Sequence, residues 1–186
     1  MKNDDAILRE FKKGNTSVYK ELINKYKPYV YAICMSLIKN REDSEEITQD
    51  VFVKIYYSIN KFKGKSSLKT WVYKIAYNAS MSLLQKKNKQ FLVYDDTHSE
   101  PEEDESNHYE FLFEKSDREI KIEILKRSMV ELKPIEALVL NLFYLKEQSI
   151  NEICEITSLT NSNIRVVLHR GRSNLLKKCN SKLNSN

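Results

Sequence analysis

Glycine and proline, the residues that most often interrupt helices, are scarce in this sequence. Its 186 residues include 3 of each, whereas charged residues make up 31% of the chain. This composition predicts a largely helical protein. The length allows one or two small domains, each able to bury a core.

Cysteine is scarce as well. Three cysteines, at positions 34, 154 and 179, are far apart and show no paired spacing. We therefore expect reduced thiols and a cytoplasmic location. Cys34 and Cys154 lie among apolar residues and are expected to be small buried hydrophobes.

Signals for membrane insertion and for catalysis are missing too. No apolar run approaches the ~20 residues of a membrane span, and the N-terminus MKNDDAIL lacks a signal-peptide core. The sequence has no Walker-type glycine-rich loop, no paired carboxylates in an apolar setting and no Cys/His cluster, and its three histidines are isolated. We therefore expect no direct membrane insertion, no catalytic residues, no cofactor and no metal.

The charges that are present divide the chain into three parts. Residues 1–94 carry a net charge of +9, residues 95–119 a net charge of −9, and residues 120–186 a net charge of +5. The middle part is almost entirely polar and cannot bury enough apolar surface to fold alone. The sequence thus predicts an all-α protein with two small helical domains, 1–94 and 120–186, joined by an acidic flexible linker at 95–119.

Helical periodicity is clear in the first part. Apolar residues at helical spacing precede Pro28, which is expected to break or restart the helix. The next helix carries a buried stripe at Ile47, Val51, Ile55 and Ile59. After a loop with Gly64 as its turn residue and a serine N-cap at 66 or 67, another helix is expected to pack six residues inward. These are Leu68, Trp71, Val72, Ile75, Ala79 and Leu83.

The stretch from Val51 to Tyr94 has an unusual composition. It contains nine lysines, no Asp or Glu, and nine aromatic residues. Lysines neutralise phosphates, and aromatic rings offer faces on which unpaired bases stack. A solvated lysine face over a core of aromatic residues would give the same pattern, but for the stretch as a whole the composition favours contact with opened nucleic acid.

The last part of the chain has the pattern of a helix-turn-helix. Pro134 suits the first turn of a helix, and Ser149 with Glu152 forms a capping box for a short one. A turn at 158–160 follows, with Thr160 as the cap of a second helix. That helix places apolar residues from Ile164 to Leu175 on one face and polar and basic residues on the other. This arrangement favours binding in a DNA major groove over a plain helical hairpin.

Three stretches, in order, resemble the extracytoplasmic-function (ECF) sigma factors of the sigma-seventy family. DSEEITQDVFVKIY (43–56) resembles the family's region-two helix that docks on the polymerase clamp. KFKGKSSLKTWVYKIAYN (61–78) resembles the segment that opens the minus-ten element and traps a flipped base. Residues 132–175 resemble region four, which reads the minus-thirty-five element as duplex.

The resemblance implies roles for particular residues. Positions that match core-polymerase binding are Glu46, Gln49, Asp50 and Val53. Positions that match minus-ten binding and melting are Lys61, Lys63, Lys65, Ser66, Thr70, Trp71, Lys74 and Asn78. Positions that match minus-thirty-five binding are Ser162, Asn163, Arg165, Val166, His169, Arg170 and Arg172. It further implies core RNA polymerase, promoter DNA and an anti-sigma factor as partners, and an acidic linker that mimics a transcript in the polymerase channels.

The sequence departs from the family pattern at several positions. Ser82 and Gln85 replace a usual Asp and Arg, which predicts altered minus-ten contacts. The opening of region four reads LKP instead of LP, and Cys154 and Ser158 replace a small Ala and the turn Gly. Two other classes remain open: a stand-alone helix-turn-helix regulator, which would need a sensor or dimerisation domain, and an enzyme acting on nucleic acid.

Overall fold

A computed structural model describes residues 3–87 and 118–183, and every regular element in those two ranges is helical. The first range holds α1 (Asp4–Lys12), α2 (Val18–Ile38), α3 (Arg41–Ser58), a 3-10 turn (Ile59–Lys61) and α4 (Leu68–Lys87). The second holds α5 (Arg118–Val130), α6 (Pro134–Leu140) with a π-helical continuation (Asn141–Leu145), α7 (Ile150–Thr157) and α8 (Asn161–Leu183). The all-helical prediction is confirmed. Most of the acidic tract lies outside the described residues, so the linker, its transcript mimicry and the boundary at residue 94 stay predictions.

Helices α2, α3 and α4 form a bundle, and α1 packs on α2. The predicted stripe of α3 and the turn after it lies in the core: Val51, Ile55 and Ile59 are fully buried, and Ile47 is half-buried. Asn40 caps α3, since its side-chain oxygen accepts from the backbone N–H of Asp43 at 2.9 Å. Spacing and capping thus act together to form this helix.

The expected break at Pro28 is wrong. Helix α2 runs without interruption from Val18 to Ile38. Pro28 lies on its exposed side, while Leu22, Tyr26 and Val30 around it are buried. A proline inside a helix costs about 3 kcal/mol, and the burial of apolar side chains on both sides of it offsets that cost.

Helix α4 is buried on more than the predicted face. Leu68, Val72 and Ala79 are buried as expected, while the other three predicted residues are half-buried. Tyr73, Ala76, Ser80 and Leu84 are buried in addition. The reason is that α4 packs against α2, α3 and α7 at once, so no single stripe describes it.

Helices α6 and α5 pack against α8, and α7 packs against both α8 and α4. Pro134 is at the first turn of α6, as predicted. Because α2 also packs against α6, nearly all buried apolar residues of the two described ranges belong to one continuous cluster. The Lys39 ammonium at the end of α2 donates to the carbonyl of Leu132, which ties the two ranges together at a second place.

None of the helices in the described ranges is long and apolar enough to cross a membrane. Within the same ranges, no group of three or more His, Cys, Asp or Glu side chains could hold a metal ion.

Candidate functional surfaces

Helices α7 and α8 form the predicted helix-turn-helix. Ser149 Oγ accepts from the backbone N–H of Glu152 at 3.3 Å, and the Glu152 carboxylate accepts from the backbone N–H of Ser149 at 2.9 Å, which completes the capping box. Ser158 takes a left-handed conformation (φ 61°) in the turn and donates its N–H to the carbonyl of Cys154. Thr160 Oγ1 then accepts from the N–H of Asn163 at 3.3 Å. Local polar contacts therefore define both ends of the turn.

The face of α8 that was predicted to contact DNA points away from the core. Ile164, Val167 and Leu168 are buried on the inner side. The predicted DNA-facing residues divide by exposure: Ser162, Arg165, His169 and Arg172 are exposed, and Asn163, Val166 and Arg170 are half-buried. This side of α8 can present basic and hydroxyl groups to a groove.

Arg165 is held in place by two asparagines that the sequence reasoning missed. Its Nε donates to Asn161 Oδ1 at 2.9 Å, and Asn161 Nδ2 donates to Asn151 Oδ1 at 3.4 Å. The contact joins the second helix of the motif to the first. The i,i+4 spacing of Asn161 and Arg165 is enough to predict their contact. No local pattern predicts that Asn151 in α7 is the partner of Asn161.

Gly171 fixes how closely α8 approaches α6. A Cβ at this position would lie 3.2 Å from Cγ and Cδ1 of Leu140 and 3.4 Å from Cβ of Glu136. Beside this contact, Asn174 Nδ2 donates to both carboxylate oxygens of the buried Glu136, at 3.1 and 3.2 Å. The lack of a side chain at Gly171 and the contact between Asn174 and Glu136 together set the position of α8.

The loop before α4 exposes a row of lysines. Lys61, Lys63 and Lys65 are all exposed, and Gly64 takes a left-handed conformation (φ 70°) between them. Ser66 is half-buried. Ser67 is the N-cap, since its Oγ accepts from the N–H of Thr70 at 3.0 Å. The loop therefore presents three ammonium groups next to the first turn of α4.

The minus-ten candidates within α4 differ in accessibility. Lys74 and Asn78 are exposed and lie one turn apart. Trp71 is half-buried, and its ring lies 5.2 Å from that of Phe62. Thr70, by contrast, is 1% exposed. The structure thus leaves two of these four side chains open to a ligand and covers one of them.

The candidate polymerase-binding residues share one exposed face of α3. Glu46, Gln49, Asp50 and Val53 are all exposed, and Val53 is 55% exposed despite being apolar. Tyr57, one turn further on, is 76% exposed; the sequence marked it only as one of the aromatic residues of the 51–94 stretch and did not assign it to this surface. An acidic and amide face that ends in exposed apolar side chains can bind a protein partner.

Thr70 is covered by the N-terminal end of α7. Its Oγ1 donates to Glu152 Oε1 at 3.4 Å, and the neighbouring Lys69 Nζ donates to the carbonyl of Lys146 at 2.7 Å. Burial alone would raise the pKa of the Glu152 carboxyl, but hydrogen bonds from Ser149 and Thr70 and the charge of Lys69 outweigh burial and hold that pKa below its ordinary value. The contact joins a minus-ten candidate to the helix-turn-helix.

Comparison with known families adds two matches. The Sigma-70 region 2 family model matches residues 22–90, and the Sigma-70 region 4 family model matches residues 122–175. The first range covers most of α2 and all of α3 and α4, and the second range begins within α5 and ends within α8. The matches follow the order of the three stretches that carried the resemblance.

Individual proteins agree with the family models. The chain is 25% identical to the ECF RNA polymerase sigma factor SigW of Bacillus subtilis, over 91% of this chain and 93% of SigW. It is 29% identical to the RNA polymerase sigma factor YlaC of the same species, over 95% of this chain and 94% of YlaC. The fold resembles that of the sigma factor RpoE of Bartonella quintana, solved in complex with the anti-sigma factor NepR. The TM-score is 0.62 at 19% identity, over 86% of this chain and 95% of RpoE.

Proposed function

The chain belongs to the ECF class of the sigma-70 family of RNA polymerase sigma factors, and from this premise we propose how it carries out promoter-specific initiation. In our proposal α3 docks on the clamp helices of core polymerase, the loop and α4 open the minus-ten element, and α8 reads the minus-thirty-five duplex. The residues in these roles are the three sets named above from the resemblance.

The observation that supports the proposal is that a single chain exposes two basic surfaces of different shape, the lysine row before α4 and the outer face of α8, and one acidic surface on α3. The lysine row before α4, with Trp71 beside it, suits an opened strand. The basic face of α8 suits a duplex groove. The acidic face of α3 suits neither kind of DNA contact, since Glu46 and Asp50 would repel phosphates, and is free for a basic protein surface.

The proposal is tested by gel-filtration co-elution with purified bacterial core RNA polymerase. The wild type is run beside Gln49→Ala/Asp50→Lys, with Lys20→Glu, a charge change of equal size and opposite sign on the exposed side of α2, as the control. We expect the wild type and the control to co-elute and the double variant to fail. If none of the three binds while the chain alone holds duplex DNA tightly, the stand-alone regulator replaces the sigma factor.

Further parts of the proposal follow from the relatives. Because RpoE of B. quintana was solved with an anti-sigma factor, we propose that an anti-sigma protein occludes this chain until a signal arrives. The chain would act in the cytoplasm, where polymerase works. The family to which the chain belongs consists of transcription initiation factors, and we propose that the chain has no enzymatic activity; turnover of DNA with added divalent metal would contradict this.

A further inference from the structure

We infer that Gln85 is a specificity-determining residue, which reads an adenine in the major groove of the closed duplex next to the opened minus-ten segment. The inference rests on the proposed function and adds a residue that none of the three proposed sets contains. It divides α4 into two halves. The N-terminal half, with Trp71, meets the opened strand, and the C-terminal half meets paired DNA.

The first step of the argument is that Gln85 lies on the face of α4 that also carries Lys74 and Asn78. Helix α4 runs without interruption from Leu68 to Lys87. At about 100° per residue, Gln85 lies within about 20° of Lys74 and of Asn78 around the helix axis. All three side chains are exposed. DNA that follows Lys74 and Asn78 along this face therefore reaches Gln85.

The second step is the distance of Gln85 from the proposed site of opening. The lysine row and Trp71 lie at the N-terminal end of α4, and Gln85 lies in its last turn. Two helical turns separate Asn78 from Gln85, roughly 10 Å along the helix axis, which is the rise of about three base pairs. Gln85 is thus far enough from the opened strand to face DNA that is still paired.

The third step is the charge of this part of α4. The helix contains no Asp or Glu, and Lys86 beside Gln85 is exposed. Lys87 Nζ forms an ion pair with Asp43 Oδ2 at 2.5 Å, which links the last turn of α4 to the first turn of α3. Lys86 can therefore contact a phosphate next to the groove that Gln85 enters. The positive charge favours DNA over a basic protein surface as the occupant.

The fourth step is that the Gln85 amide is available. Ser82 Oγ donates to the carbonyl of Asn78 at 2.8 Å within the same helix, so its proton is already engaged. By contrast, no hydrogen bond joins the Gln85 side chain to another residue of the described ranges. Both the carbonyl oxygen and the NH₂ group of the amide can therefore meet a base.

The last step is the match between this amide and the bases. A Gln side chain places one acceptor beside one donor group, and adenine presents the complementary N6 donor and N7 acceptor in the major groove. Guanine presents two acceptors there, which suit the donors of an Arg side chain. Because Gln85 replaces the Arg that is usual in the family pattern, we expect adenine where an Arg would select guanine.

The test uses the full-length chain bound to core polymerase and a pool of fork-junction DNA. Each DNA molecule has a randomised duplex followed by a randomised single-stranded tail. Bound molecules are recovered and sequenced, and base frequencies are counted at each duplex position from the fork. For the wild type we expect adenine to be enriched roughly tenfold over guanine at one position, the discrimination that one bidentate contact provides.

Three variants identify the side chain that is responsible. Gln85→Ala is expected to lose the preference at that position and to keep the preferences at the others. Gln85→Arg is expected to select guanine at the same position. Lys86→Gln, a matched control at the neighbouring exposed residue, should recover less DNA of every sequence and keep the preference for adenine.

Unchanged base frequencies in Gln85→Ala overturn the inference. A Gln85→Arg pool that stays rich in adenine, or a preference for another base that depends on Gln85, overturns it as well. Loss of the adenine preference in Lys86→Gln would mean that charge, not the amide, sets it, and this too overturns the inference.

Failure of the proposed function gives a different result. A wild type that does not co-elute with core polymerase overturns the proposed function. A wild type that co-elutes and selects particular single-stranded tails, but shows no preference at any duplex position, overturns only the role of Gln85.

Discussion

Gly171→Val is expected to destabilise the packing of α8 on α6, with Gly171→Ala as its matched control. In the alanine variant the new Cβ lies 3.2 Å from two carbons of Leu140, so that flexible side chain must shift by a few tenths of an ångström. Replacing a helical glycine by alanine gains about 1 kcal/mol of helix propensity. The two effects nearly cancel, and we expect the free energy of unfolding of the alanine variant to stay close to that of the wild type.

Valine adds two methyl groups to a site that barely accepts one. Overpacking of this kind costs about 1 to 3 kcal/mol, and for a chain of this length each kcal/mol lowers Tm by roughly 2 to 4 °C. Urea and thermal unfolding of the three proteins, followed by far-ultraviolet circular dichroism, measure the difference. If Gly171→Val is as stable as Gly171→Ala, then Leu140 and Glu136 do not confine position 171, and the close approach of α8 to α6 is not what the glycine provides.

Three further predictions concern other elements. Pro28→Ala should raise the free energy of unfolding by about 1 to 3 kcal/mol, since it removes a proline from inside α2; urea unfolding that shows no gain would contradict this explanation. Asn161→Ala should weaken binding to a duplex that carries the minus-thirty-five element about as much as Arg165→Ala does, because Asn161 orients the Arg165 guanidinium. The double variant should lose little more affinity than either single variant. If fluorescence anisotropy shows that the two losses in binding free energy add up, the two side chains act separately. Glu152 has a lowered pKa in the fold, so its stabilising contribution is complete above the ordinary Glu pKa of about 4.3 and is lost as pH falls through the lowered value. The first turn of α4 should therefore exchange its amide hydrogens faster only when the pH falls below the ordinary Glu pKa. Hydrogen exchange followed by mass spectrometry measures this, and faster exchange already at pH 6 would argue against this carboxylate.

The roles proposed for the three surfaces also explain how positive and negative side chains are distributed among them. The surfaces assigned to DNA carry lysine and arginine, and the surface assigned to polymerase carries Glu46 and Asp50. The Glu152 carboxylate on α7, which accepts from Thr70 Oγ1, joins the two regions to which we assign contacts with DNA.

Local sequence by itself determined several helix ends and the buried stripe of α3. The capping box of Ser149 and Glu152, the cap at Thr160 and the stripe of Val51, Ile55 and Ile59 act within a few residues of one another, so their spacing is enough to predict them. The same holds for the exposed faces of α3 and α8, because each follows from which opposite face is apolar. The candidate surfaces were predicted for this reason, and the roles of their residues stay predictions.

Tertiary structure alone decided the features that depend on distant parts of the chain. Pro28 stays inside α2 because Leu22, Tyr26 and Val30 are buried against other helices. The free energy of that burial is not part of any local helix propensity. From the sequence, Thr70 is expected to be an accessible residue at the start of a helix. In the fold it is covered, because α7 packs against it and Glu152, 82 residues further along the chain, accepts its hydrogen bond. Burial between elements far apart in sequence has no local period, so only the folded chain shows that Thr70 is covered by its own helix-turn-helix.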